Sequence, residues 1–164
     1  MVVMFHTVAA RRYDDAIVEG RQALTLFPNA PYVHAGIADA LWYQGRYEEA
    51  LPEQKVTFGL DTRAWQEFEQ AFRRGGPRAA MKARADRLAQ PAAGRPTDVM
   101  AVASTYADAG ERDAAMVWLQ KAYDVRLPQL LHVPADPAFD GMRDDARFGA
   151  LMRKIGIPAR VSPR

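Results

Sequence analysis

Cysteine is absent from the 164 residues, which removes disulfides, thiol nucleophiles and cysteine-held zinc and makes a reducing compartment the expected setting. Serine is nearly absent too. Ser104 and Ser162 are the two in the chain, and neither stands in a Gly-x-Ser-x-Gly elbow. Every apolar run is interrupted by Arg, Asp or Gln before it attains the length of a membrane-crossing helix, and no charged leader precedes an apolar stretch at the start. A soluble cytoplasmic chain is the expectation. An excess of one charge is also missing: 22 basic groups face 20 acidic ones for a formal +2, which gives general nucleic-acid affinity little support.

Chemistry-bearing clusters are equally scarce. His6, His34 and His132 are far apart in the chain, and none has a second ligand-type residue at metal-binding helical spacing. Asp136, Asp140, Asp144 and Asp145 lack the interleaved Asp-x-Asp-x-Asp-Gly pattern that wraps calcium, so helix capping is their expected work. Gly75-Gly76-Pro77 is too short for a phosphate-binding loop and has no following Lys with Ser or Thr. Neither catalysis nor a cofactor nor a metal is expected.

What the chain does have is enough apolar residue, 49% against 26% charged, to bury a core of roughly 70% of its unfolded surface. It also repeats itself. Arg12-Tyr13-Asp14-Asp15-Ala16-Ile17 aligns without gaps on Arg46-Tyr47-Glu48-Glu49-Ala50-Leu51, which sets Tyr13 on Tyr47 and Ala16 on Ala50 with a period typical of helical solenoids. A third copy is Gly110-Glu111-Arg112-Asp113-Ala114-Ala115. Ala115 lies slightly less than two such periods beyond Ala50, which leaves room for one shortened unit between them. Residues 64–90 supply it as two short helical patterns joined by Gly75-Gly76-Pro77, with Pro just inside the second.

Apolar residues recur at three and four through Ile37, Ala38, Leu41 and Trp42 until Gly45, and again through Val99, Val102, Ala103 and Tyr106 until Gly110. Met116, Leu119 and Ala122 continue the second pattern on a partner helix, and no segment alternates as a strand does. Pro52 predicts a late start or slight kink in the helix beginning near Tyr47. After Leu127-Pro128 the pattern changes to a turn at Asp136-Pro137-Ala138-Phe139-Asp140 and a last helix from Asp144 to Ile155.

These residues resemble the tetratricopeptide repeat family. His34-x-x-Ile37-Ala38-x-x-Leu41 with Gly45-x-Tyr47-x-x-Ala50, and Val99-x-x-Val102-Ala103-x-x-Tyr106 with Gly110 and Ala115, stand where the family's signature lies. The resemblance implies an all-α, right-handed α-solenoid of antiparallel helical hairpins, as one domain over 1–158. Its units span about 1–30, 31–62, 64–90 and 96–127, with a capping segment at 136–156 and a loose tail at 159–164. Ala38, Ala50, Ala103 and Ala115 are then the close helix contacts, and Tyr13, Tyr47 and Trp118 fill the space between hairpins. The ending, from Asp136-Pro137-x-Phe139-Asp140 to Gly156-Ile157-Pro158, is similar to the closing segment of bacterial signalling and regulatory proteins, in which a helical-repeat region follows an effector domain.

The resemblance further implies an interaction module that takes a protein or peptide in a concave groove lined by the first helix of each hairpin. Counting helical turns from the core residues puts Phe5, Tyr32, Ala35, Asp39, Trp42, Tyr43, Gln66, Glu69, Met100 and Ser104 on that lining. Tyr32, Trp42 and Tyr43 form an aromatic surplus of the kind found at binding hot spots. Two alternatives stand beside it. Arg74, Arg78 and Lys82, spaced by four within a basic stretch from Arg73 to Arg87, could present cations to nucleic acid or an acidic partner. The incomplete first unit could instead pair with a second copy of the chain.

Overall fold

The computed structural model describes residues 7–91 and 96–157, and every regular element among them is helical. The tail expected at 159–164 lies outside the described residues. Residues 7–9 are the described end of a first helix, which leads into α1, Tyr13–Leu26. Ala16, Ile17 and Gly20 are the buried stripe of α1, and Asp14 and Asp15 in its first turn complement the positive end of the helix dipole. Helix α2, Pro31–Tyr43, begins on a proline whose missing amide costs nothing at that position, and buries Val33, Ile37, Ala38, Ala40, Leu41 and Trp42. Helix α3 spans Tyr47–Phe58.

Pro52 does not delay α3. The helix starts at Tyr47 and runs through Pro52, which is exposed like Glu48, the residue whose carbonyl would have received its amide. Water can serve that carbonyl, so the lost bond is tolerated at this face.

Helix α4, Thr62–Leu88, is two segments in one: Gly76 sits at φ 72°, ψ −164°, a conformation open essentially to glycine alone, and Pro77 opens the second segment. These two segments lie where the sequence reading expected a shortened hairpin over 64–90. Asp61 caps its start by accepting the Ala64 amide at 3.0 Å, and Phe68 from the first segment with Ala80, Met81 and Ala85 from the second are buried. Helices α5, Val99–Asp108, and α6, Arg112–Asp124, form the next hairpin, with Asp98 capping α5 through the Ala101 amide at 3.0 Å.

Beyond α6 lie two 3-10 helices, Pro128–His132 and Pro137–Met142, and helix α7, Ala146–Lys154. The segment expected as a plain turn is thus a 3-10 helix packed against α5, with Phe139 and Met142 buried. Phe139 and Phe148 stack with centroids 6.1 Å apart. Burying two such rings removes enough apolar surface to contribute about 2–3 kcal/mol each, which a solvent-facing turn would forgo.

Tertiary contacts gather into two compact units, Met1–Trp65 and Gln66–Arg164, where the sequence reading ran one domain through 1–158. Hairpins that touch chiefly their sequence neighbours divide in this way, since few contacts bridge distant repeats. In the first unit α2 packs on both α1 and α3. In the second, one core joins Ala85, Val102, Ala103, Ala115 and Leu119 to Phe139, Phe148, Leu151 and Met152. Ala38, Ala50, Ala103 and Ala115 are all fully buried, as close helix packing requires.

Candidate partner-binding site

Successive residues of α2 advance by about 100°, so Tyr32, Ala35, Gly36, Asp39 and Tyr43 fall on one strip opposite the buried face of Val33, Ile37 and Leu41. Tyr32 and Asp39 are exposed, and Ala35, Gly36 and Tyr43 half-exposed. The strip is shallow in its middle, where Ala35 and Gly36 leave the helix backbone approachable, and carries rings at both ends. Tyr43 is held from behind by Tyr13 of α1, the two centroids 5.9 Å apart.

Trp42 departs from its expected place. It is 7% exposed and meets Tyr47 of α3 edge-on at 4.9 Å, so its indole closes the α2–α3 hairpin and presents almost nothing to a partner. At this position the helix rotation turns the ring past the exposed strip and onto α3, where edge-to-face packing and burial hold it. Trp42→Ala therefore acts on stability, by about 3–4 kcal/mol, and not on binding alone.

The remaining expected residues divide between units. Phe5 lies outside the described residues. Gln66 is exposed on the first segment of α4, and Glu69, half-buried, pairs with Arg73 at 3.0 Å. On α5, Met100 packs against the core of the second unit and Ser104 is half-buried, its hydroxyl donating to the Ala101 carbonyl at 3.2 Å. Met100 and Ser104 share one face of α5 at a spacing of four.

The basic alternative loses much of its charge to neighbours. Lys82 pairs with Asp86 at 2.7 Å, Arg87 with Glu67 at 3.2 Å and Arg73 with Glu69. The bond to Asp86 raises the Lys82 pKa, and Asp86 also accepts from the Tyr106 hydroxyl at 2.8 Å. Burial, then that bond, pushes the Tyr106 phenol up to about 12. The glycine turn at Gly76 separates Arg74 from Arg78 and Lys82, so the four-residue spacing keeps a single helical face only from Arg78 to Lys82. The Arg78 guanidinium carbon lies 3.7 Å from where a Gly110 Cβ would stand, beside the C-terminal end of α5, where the helix dipole favours a cation.

The acidic cluster near the C-terminus is taken up in helix caps and ion pairs. Asp136 and Asp145 cap the second 3-10 helix and α7 through the amides of Ala138 and Arg147, Asp140 pairs with Arg143 at 2.6 Å, and Asp144 pairs with Arg112. The Arg147 side chain, then its amide, pulls Asp145 down to about 2. Arg147 also reaches Asp113 at the start of α6, 2.7 Å away. Among the described residues no three His, Asp or Glu side chains gather as a metal ion would need, and no buried side-chain polar atom lacks a partner. No described helix is long and apolar enough to cross a membrane.

One polar arrangement escaped the sequence reading. His34, on the flank of α2, has Nδ1 2.5 Å from Glu53 of α3 and Nε2 2.9 Å from the Pro28 carbonyl in the α1–α2 connection. Burial opposes charge on the ring, but the bonds to Glu53 and Pro28 outweigh it and raise the pKa above 6.5. Nothing in the spacing of residues 28, 34 and 53 pairs them; only the hairpin geometry does.

Comparison with known proteins gives one positive result: the family model described as tetratricopeptide repeat matches residues 7–52, which hold the described end of the first helix, α1, α2 and the first half of α3. No curated protein and no solved structure gives a significant match. The matched span includes the whole strip on α2.

Proposed function

We propose that the chain is a protein-binding helical-repeat module whose first unit takes an extended or helical peptide along the strip of α2 formed by Tyr32, Ala35, Gly36, Asp39 and Tyr43. The observation that carries this reading is that strip itself, aromatic at both ends and small in the middle, within a segment matching a repeat family of interaction modules. A ring that is partly exposed yet held from behind, as Tyr43 is by Tyr13, loses little entropy on binding, which is why such residues anchor interfaces. In the second unit, Gln66 and Glu69 on α4 and Met100 and Ser104 on α5 are proposed as a separate set of partner contacts. The likeness of the closing segment to bacterial signalling and regulatory proteins supports placement as the partner-holding part of a larger cytoplasmic protein. Trp42 is assigned to the scaffold.

The test is selection of a displayed random-peptide library on the full chain, followed by amide chemical-shift mapping with the strongest peptide. Shifts concentrated at Tyr32, Gly36, Asp39 and Tyr43, and at least tenfold weaker binding by Asp39→Arg with an unchanged helical spectrum, support the assignment. Peptides that map to α6 or to the basic segment of α4 overturn it.

A further inference from the structure

The ring of His34 faces two oxygen atoms that can only accept: a carboxylate oxygen of Glu53 at 2.5 Å and the Pro28 carbonyl at 2.9 Å. A neutral imidazole has one N–H, so with Glu53 ionised it satisfies one of these oxygens and turns a lone pair toward the other. Both contacts hold only when the pair carries one proton more than a neutral ring and an ionised carboxylate contain together. The two partners belong to different elements, Glu53 to α3 and Pro28 to the connection between α1 and α2, and His34 itself lies in the first turns of α2. Glu53 is the charged group acting on the ring; α1 and the connection contribute none among the described residues, only the Pro28 carbonyl.

The geometry points to a proton-operated latch: doubly protonated His34 fastens the α1–α2 connection to α3, and loss of that proton releases the connection. The segment it controls carries Leu26, Phe27 and Tyr32, respectively 74%, 59% and 51% exposed. Tyr32 is the head of the strip proposed for partner binding, so the latch sets how firmly that end is presented; the latch itself stands whether or not a peptide binds there. The side chains of His34 and Glu53 retain only 13% and 23% exposure, which limits the water available to replace a broken bond. The sign follows from the pKa raised above 6.5: the fastening is complete below that value and is lost as pH rises through the folded-state pKa.

Nitrogen-15 resonances of the imidazole, followed from pH 5 to 9 on the full chain, read the latch directly. Two ring N–H groups at low pH and a midpoint above 6.5 are expected, with hydrogen-exchange protection of Ala30, Val33 and His34 amides falling through the same pH range after correction for intrinsic rates. Glu53→Gln, which keeps the size of the partner and removes its charge, shifts the midpoint down and the loss of protection with it. His34→Gln flattens the protection profile. A single ring proton at pH 5, or an identical protection profile in wild type and Glu53→Gln, overturns the proposal. If both variants fail to give a helical spectrum, the ring titration of the unmutated chain decides alone.

Discussion

Two hairpins in this chain turn by different means. Helix α2 hands over to α3 through Gln44, Gly45 and Arg46: the Gly45 amide bonds to the Trp42 carbonyl and the Arg46 amide to the Leu41 carbonyl, each at 2.9 Å, with Gly45 at φ 75°. This αL ending satisfies carbonyls that a helix end would leave open. The aromatic pair Trp42 and Tyr47 then clamps the two helices beside the turn. Inside α4 there is no such interval. One glycine at φ 72°, ψ −164° reverses the chain between two helical segments, and its neighbour Gly75 lies so near the second segment that a Cβ there would meet the Ala79 Cβ at 2.7 Å. The first turn uses a conformation that other residues reach at a cost; the second excludes side chains by both torsion and space.

The rest of the chain supports that distinction. The same bond pair recurs at Gly110, where the Glu111 amide reaches the Tyr106 carbonyl, and also at Arg11 and Arg126, with φ of 63° and 56°. Two of these endings therefore carry an arginine in the left-handed region, which costs roughly 1–2 kcal/mol relative to an unstrained backbone. In the self-alignment that sets Tyr13 on Tyr47, Arg11 falls on Gly45, the corresponding place of the next repeat.

Five substitutions test the comparison. Ala50→Glu is expected to have the largest effect, since Ala50 is fully buried where α3 enters its hairpin and an unpartnered charge there costs about 4–5 kcal/mol. Thermal denaturation should show the first unit lost, and an unchanged melting curve would place Ala50 outside the helix contact. Gly76→Ala comes next, at about 2–3 kcal/mol, with Gly75→Ala adding to it through the Ala79 contact. Urea titration of each single variant measures this, and a loss no greater than that of Gly45→Ala would erase the difference between the two turns. Gly45→Ala is expected to cost about 1 kcal/mol, because its turn tolerates a Cβ: nothing lies within 4 Å of the position. Arg11→Gly runs the other way and stabilises by up to about 1 kcal/mol, partly offset by the bond from the Arg11 side chain to the Ala9 carbonyl. A drop in midpoint for Arg11→Gly would show that this side-chain bond outweighs the backbone strain.

Much of the helical layout was legible because its signals are local. The self-alignment of the first two repeats, the glycines at 45 and 110, and the Gly-Gly-Pro at 75–77 each depend on backbone torsions that a few neighbouring residues decide. The candidate site was legible only in outline. Tyr32, Asp39 and Tyr43 could be placed on one strip by counting turns, but the same count put Trp42 with them, although it is buried against Tyr47. Whether a ring at the border of a helical face is free depends on the crossing of the next helix, which no period within α2 encodes. The basic stretch was legible in part: its neutralising partners Glu67, Glu69 and Asp86 are visible in the sequence, but the pairing of Glu67 with Arg87 follows from how the two segments of α4 fold back.

By itself, then, the sequence determined that this is an all-helical chain of repeated hairpins, where those hairpins turn and which faces are apolar, because periodicity and glycine placement are properties of short segments. The tertiary structure decided the rest. It withdrew Trp42 into the scaffold, set Arg11 into a left-handed turn, drew the Phe139 segment into the second core as a 3-10 helix and brought His34 between Pro28 and Glu53. Trp42, the Phe139 segment and His34 were placed by packing between elements, where burial and hydrogen bonding are settled by the neighbour that arrives and not by the residue that waits, while the Arg11 turn rests on the bonds of the Arg11 and Arg12 amides to the Val8 and Thr7 carbonyls.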